Sequence, residues 1–268
     1  MAAELSATDT ARKRLEERVN YPSLAAKRVF VTGGGSGIGA AIVEAFARQG
    51  SAVAFVDIAA EASVVLVNRL EAEGLGRPWY RPCDVTQVPL LQQAIVDAAH
   101  ELGDFHVLVN NVASDDRHAL DAVTPEYWDQ RMAINQRPAF FAIQSVVPGM
   151  RRLGGGSIVN LGSTGWQTKS AGYPAYATAK SSVNGLTRGL ARELGAHRIR
   201  INVASPGWVM TDKQLAMLDA ASEADLMHNQ CLPDKLWPDD IAAMVLFLAS
   251  DQARGITAQE FLVDAGWH

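Results

Sequence analysis

Cysteine is scarce: the 268-residue chain has two, Cys83 and Cys231. Two thiols cannot build a disulfide framework, and neither has CxxC or Cys/His metal spacing, so buried structural thiols in a reducing compartment are expected. The six histidines are scattered without an HExxH pattern, and no metal is expected. Basic residues are few and dispersed: 24 Lys+Arg against 29 Asp+Glu leave a net charge of −5. That balance argues against nucleic acid as a partner. The longest apolar run, residues 241–249, is far short of the ~20 residues that span a bilayer. The polar start MAAELSATDTARKRLEERVN has no signal-peptide core, so a cytoplasmic protein without a membrane partner is the expectation.

What is present is an ordinary globular composition, 48% hydrophobic and 20% charged, long enough for a sizeable core. Short β-rich or apolar runs at 27–32, 52–57, 79–83, 106–110, 157–161, 199–204 and 260–263 read as strands. Between them, helical patterns run over 37–49, about 61–73, 86–102, 173–195 and 238–249. A further helix starts behind the N-cap Thr124 and Pro125 and runs toward 150, with a break expected around Pro138. Such alternation implies an α/β fold: one doubly wound parallel sheet of about seven strands, flanked by helices. Residues 1–24 read as an N-terminal extension and 25–268 as a single domain. The alternation fails only at 206–238, where residues 211–217 still look helical; this stretch is expected to be a substrate loop.

The turn between the first strand and first helix reads TGGGSGIGA, residues 32–40. Glycines there allow positive φ and let a pyrophosphate approach the N–H groups at a helix N-terminus. Residues 35, 37 and 40 satisfy G-x-G-x-x-G/A, and the fuller spacing is Gly33-x-x-x-Gly37-x-Gly39. A glycine turn alone is common; here a strand precedes it, a helix follows, and Asp57 ends the second strand 20 residues past Gly37. An acid at that point hydrogen-bonds ribose hydroxyls and repels a 2′-phosphate, and no Lys or Arg follows it directly, so NAD is the expected cofactor.

The segment 163–180, STGWQTKSAGYPAYATAK, carries Ser163, Tyr176 and Lys180. Residues i and i+4 share a helix face, which sets Lys180 beside the Tyr176 ring. A neighbouring cation favours the phenolate, so the pair could serve as an acid/base with Ser163 as its hydrogen-bonding partner. The same spacing also occurs on many amphipathic helices with no catalytic meaning. Tyr173, the rival phenol, has Ala177 at i+4 and so lacks a lysine partner.

Together these residues resemble the short-chain dehydrogenase/reductase family over almost all of 25–268. The marks are T-G-x-x-x-G-x-G at 32–39, Asp84-Val85, Asn110-Asn111-Val112-Ala113, Asn135, Ser163, Tyr176-x-x-x-Lys180 at the usual 13-residue Ser–Tyr separation, and Pro206-Gly207 followed by Thr211. Val112-Ala113 departs from the usual Ala-Gly. The resemblance implies a Rossmann-type fold, with Tyr176 as acid/base, Lys180 on the nicotinamide ribose, Ser163 orienting the substrate oxygen, and Asn135 holding a relay water. It implies cofactor contacts from Gly33, Ser36, Gly37, Ile38, Gly39, Asp57, Ile58, Asp84, Val85, Asn111, Val209 and Thr211.

Within that family the chain is similar to bacterial sugar dehydrogenases that oxidise aldoses at C1, through Tyr21-Pro22-Ser23-Leu24, Asp115-Asp116-Arg117-His118, Pro206-Gly207-Trp208-Val209-Met210-Thr211 and Asp264-Ala265-Gly266-Trp267. Asp115, His118, Trp166 and Trp208 would suit a polyhydroxylated ring, hydroxyls meeting polar groups and the C–H face meeting indoles. Equally, 115–118 is a solvated loop and the tryptophans are core or interface residues. A deoxy-sugar acid or a cyclic alcohol is the alternative substrate. A non-catalytic nucleotide sensor would have no need of Tyr176 and Lys180. A homotetramer is implied, with the apolar helix 241–249 and the last strand at an interface, and Trp267-His268 reaching a neighbour's site.

Overall fold

Strands buried on both faces need apolar residues at successive positions, and the runs read above meet that need in a computed structural model that describes residues 20–268. The strands are β1 (Arg28–Thr32), β2 (Ala52–Asp57), β3 (Trp79–Pro82), β4 (Val107–Asn110), β5 (Gly156–Leu161), β6 (Ile199–Pro206) and β7 (Glu260–Val263). They form one sheet in the order β3-β2-β1-β4-β5-β6-β7, every pair parallel. The helices are α1 (Gly37–Arg48), α2 (Ala60–Ala72), α3 (Val88–Leu102), α4 (Pro125–Asn135), α5 (Arg137–Arg152), α6 (Pro174–Gly195), α7 (Ala220–Asn229) and α8 (Pro238–Ala249), with a single helical turn at Asp212–Leu215.

Alternate strand residues feed two cores. Val29, Val31, Val53, Phe55, Val107 and Val109 pack against α1, α2 and α8. Phe30, Ala54, Val56, Leu108 and Ile158 point the other way, against α3, α5 and the far end of α6. The sheet therefore lies between two helical layers. Because β1 pairs with β2 on one side and β4 on the other, the chain reverses direction there, and the carboxyl ends of β1 and β4 open a crevice.

The expected break in the long helix falls at Gln136 (φ −130°, ψ −54°), ahead of Pro138: a proline inside the run would remove an N–H and clash with the carbonyl four residues back, so α4 closes first. Two features differ from the sequence reading. Residues 206–238 hold α7 besides the expected turn; one buried residue, Leu226, leaves it almost no apolar stripe, though Asp219 and Ser222 cap it reciprocally. Cys231 is exposed and only Cys83 is buried. The apolar α8 packs on α1 within the chain, with Ile241, Ala242, Val245 and Leu248 fully buried. Among the described residues no helix is long and apolar enough to cross a membrane.

Residues 1–19 of the expected extension lie outside the described residues. Its last residues join the fold: the Tyr21 N–H donates to Gln49 Oε1 at 2.7 Å, Leu24 is wholly buried, and Ser51 Oγ donates to the Leu24 carbonyl at 2.8 Å. Leu24→Ala is accordingly expected to destabilise the protein by about 2–4 kcal/mol in denaturant unfolding; a loss below about 0.5 kcal/mol would place this segment outside the folded unit.

Candidate active site

The crevice at the ends of β1 and β4 is the mouth of a cleft of about 1060 Å³. On its nucleotide side, Gly33 (φ 70°) and Gly37 (φ 52°) take conformations that favour glycine. At Gly39 the constraint is contact: a Cβ would stand 1.8 Å from the Gly33 carbonyl oxygen and 2.7 Å from Asn111 Nδ2. Asn111 locks this arrangement, its amide donating to the Gly33 and Thr32 carbonyls at 2.8 and 3.3 Å. Asp57 accepts from the N–H groups of Gly35 and Ala59, both at 2.8 Å, so the acid that ends β2 also shapes the loop. Gly33, Ser36, Ile38, Gly39, Asp57, Ile58, Asp84, Val85, Asn111, Val209 and Thr211 all line the cleft; Gly37 stands behind it against Thr211. A tight loop, bare N–H groups at the start of α1 and an acid at the tip of β2 fit a dinucleotide.

Beyond the loop, the cleft is walled by Ser163, Tyr176 and Lys180. Ser163 caps a 3-10 turn, accepting from the Gly165 N–H at 3.1 Å. Lys180 is 3% exposed and donates to the Leu161 carbonyl at 2.7 Å. Burial pushes its ammonium down to about 8, opposed by the charge of Asp115. Burial likewise pushes the Tyr176 phenol up to about 12, opposed by its hydrogen bond with Ser163. As the i, i+4 spacing implied, Lys180 lies over the Tyr176 ring, 6.0 Å from its centroid, with its ammonium bonded to the Leu161 carbonyl.

Asn135 is buried and does not line the cleft. Its side chain brackets the backbone of Ser114, accepting from the N–H at 2.7 Å and donating to the carbonyl at 3.1 Å. The four proposed substrate residues divide. Asp115 and Trp208 line the cleft and are joined across it: Asp115 accepts from Lys213 Nζ at 2.6 Å and Gln214 Nε2 at 3.1 Å, while Trp208 Nε1 donates to Gln214 Oε1 at 2.8 Å. Trp166 and His118 do not line it. Trp166 lies in the 3-10 turn beyond Ser163 with its indole N–H buried, and His118 is bonded into the backbone behind Tyr176.

Sequence reading missed Lys213, Gln214 and Arg131. Arg131, on α4 and 5% exposed, lines the cleft and donates to Ser114 Oγ at 3.0 Å and Asp116 Oδ2 at 2.7 Å. An arginine on a weakly amphipathic helix carries no signal until the fold brings the 114–118 loop over it. Trp267 lines this chain's own cleft, 6.4 Å from Trp208. Among the described residues no group of three His, Cys, Asp or Glu is placed to hold a metal ion.

A doubly wound parallel sheet with a glycine-lined switch point and a Ser/Tyr/Lys wall defines a nucleotide-dependent oxidoreductase of the short-chain type. The chain belongs to the short-chain dehydrogenase/reductase family: the family described as enoyl-(acyl carrier protein) reductase matches residues 33–268. It is 47% identical over 247 residues to a probable galactose dehydrogenase of Rhizobium meliloti, covering 92% of this chain and 96% of that one. It is 46% identical over 250 residues to a D-xylose 1-dehydrogenase of Caulobacter vibrioides, covering 92% and 98%. Among solved structures, a 7α-hydroxysteroid dehydrogenase complexed with NADH superposes with a TM-score of 0.87 at 29% identity, covering 92% and 96% of the two chains. A blue fluorescent protein from a metagenomic library, solved with NADPH, gives 0.85 at 38% identity, covering 91% and 99%. The cleft takes a nicotinamide nucleotide.

The two buried groups titrate in ways that a melt can detect. Folding lowers Lys180 from 10.5 to about 8. Between those values the unfolded chain binds more protons, so stability rises with pH. Relative to Lys180→Met, the wild type is expected to gain about 3 kcal/mol between pH 8 and 10.5 in denaturant unfolding, and nothing below pH 7.

Proposed function

We propose that this protein oxidises an aldose at C1 to its lactone, with NAD as hydride acceptor. The observation that carries the sugar assignment is the substrate half of the cleft. There the indoles of Trp208 and Trp267 stand together beside Asp115, Lys213 and Gln214. Aromatic faces take the C–H side of a sugar ring, and dense donors and acceptors take its hydroxyls. The sugar dehydrogenases at 46 and 47% identity point to the same class.

In this reading Ser163 holds the substrate hydroxyl and Tyr176 removes its proton as the carbon gives up hydride. When bound, oxidised nicotinamide would supply the hydride acceptor and a positive charge. Burial raises the Tyr176 phenol to about 12, so deprotonation there calls for a compensating charge. Lys180 would hold the nucleotide ribose, and its low, burial-imposed pKa leaves the proton easily exchanged. Asn135 acts on the opposite wall by holding Ser114, and with it Asp115, at the cleft edge. NAD is preferred to NADP because Asp57 places a carboxylate where a 2′-phosphate would lie.

A sugar acid is the second reading, and Arg131 is its reason. This cleft-lining guanidinium keeps a buried Nε without a hydrogen-bond partner, which suits a carboxylate. Assembly as a homotetramer accompanies either reading.

The test is an NADH-absorbance screen of pentoses, hexoses, 6-deoxyhexoses and sugar acids with the purified protein. Turnover of aldoses is expected; turnover of acids alone would replace the first reading with the second. Tyr176→Phe is expected to cut kcat by about 10²–10⁴-fold with NAD affinity retained, and substantial residual turnover would remove Tyr176 from its role. Asp57→Ala is expected to lose NAD preference by roughly tenfold to a hundredfold in the ratio of kcat/KM for NAD over NADP.

A further inference from the structure

The helix that carries Tyr176 and Lys180 has no cap of its own. Its N-cap residue, Tyr173, makes no side-chain cap hydrogen bond, and Pro174 in the first turn has no N–H to satisfy. The first free donor of α6, the Ala175 N–H, is satisfied by His118, 57 residues away, whose Nε2 accepts it at 3.2 Å. On its other side the ring meets the Asp116 carbonyl, 2.8 Å from Nδ1. A carbonyl only accepts and a backbone N–H only donates, so together they require the proton on Nδ1 and a lone pair on Nε2. The backbone at His118 adds a third tie, its N–H donating to the Gly172 carbonyl at 2.8 Å.

We propose that His118 is a positioning residue for the reaction: as a neutral, Nδ1-protonated imidazole it caps α6 and holds the Tyr176 hydroxyl at the cleft wall. Tyr176 follows Ala175 directly, so loosening of that turn displaces the phenol. The groups around the imidazole keep it in place. Tyr127 of α4 packs edge-on at 4.9 Å with its hydroxyl 2.9 Å from Nδ1. Arg131, also of α4, lies over the Tyr127 ring and binds Asp116. Arg117 covers the Tyr173 ring at 4.2 Å, and Lys213 approaches Asp116 Oδ1 at 3.9 Å from the far side. A second proton on the ring would occupy Nε2, leave two N–H groups facing each other, and set a cation at the positive end of the helix.

This inference rests on the dehydrogenase chemistry and not on the choice of sugar, so kcat is measured with whichever alcohol the screen identifies. Amide exchange of residues 175–180 is measured alongside and needs no substrate, so it stands even where the aldose reading fails. His118→Ala is expected to speed exchange in that turn and lower kcat about tenfold or more with KM little changed. His118→Gln, whose side-chain oxygen reaches the Nε2 position, is expected to restore protection and most of the lost kcat. Unchanged exchange with only KM altered in His118→Ala, or a His118→Gln that restores neither protection nor kcat, would overturn the proposal. Should His118→Ala not fold, His118→Gln decides: near wild-type exchange and kcat are expected, and loss of either would overturn the proposal.

Discussion

The structure depends on one close approach, where β1 and β4 part. Strand order reverses there, and a reversal leaves two strand ends without crossovers between them, hence an opening. Asn111, at the end of β4, ties the lips by donating to the Gly33 and Thr32 carbonyls at the end of β1. The tie draws the loop onto the start of α1 so closely that Gly39 has no room for a Cβ. Loop shape, exposed helix N–H groups and the position of the Asp57 carboxylate all follow from that contact.

The opposite wall is built on a different principle. The 114–118 loop spends nearly all of its polarity on protein groups: Ser114 on Asn135, Asp115 on Lys213 and Gln214, Asp116 on Arg131, Arg117 on the Ala171 carbonyl, His118 on α6. It thereby joins α4, the catalytic-helix N-terminus and the 206–238 segment into one rim. Ser114 and the Arg131 guanidinium hold the Asp116 carboxyl below the usual carboxylate range. Asp115 makes the shortest contacts across the cleft, and its charge acts on both Tyr176 and Lys180. One loop thus sets both the rim of the cleft and part of the electrostatic environment of Tyr176 and Lys180.

Local patterns were legible where one residue's chemistry decides the outcome. Ala52–Asp57, Pro238–Ala249 and Glu260–Val263 have the bounds read from hydrophobic runs and flanking breakers. The glycine loop and the Ser163, Tyr176 and Lys180 set were readable because their spacing is itself the constraint. What was not readable depended on groups distant in the chain. Trp166 follows Ser163 by three residues yet turns away, and His118 looked like a substrate ligand because nothing nearby discloses that α6 lacks a cap. α7 escaped notice since a helix lying on the surface needs little apolar stripe.

The sequence by itself determined the class of fold and the crevice where the strand order reverses, since backbone conformation and strand burial follow from local patterns. Only the tertiary structure decided how Tyr176 and Lys180 are electrically disposed. Desolvation depends on everything packed around a group, so it took the fold to turn Lys180 toward Leu161, hold Tyr176 protonated, and place an imidazole from the β4–α4 loop at the head of the helix that bears them both.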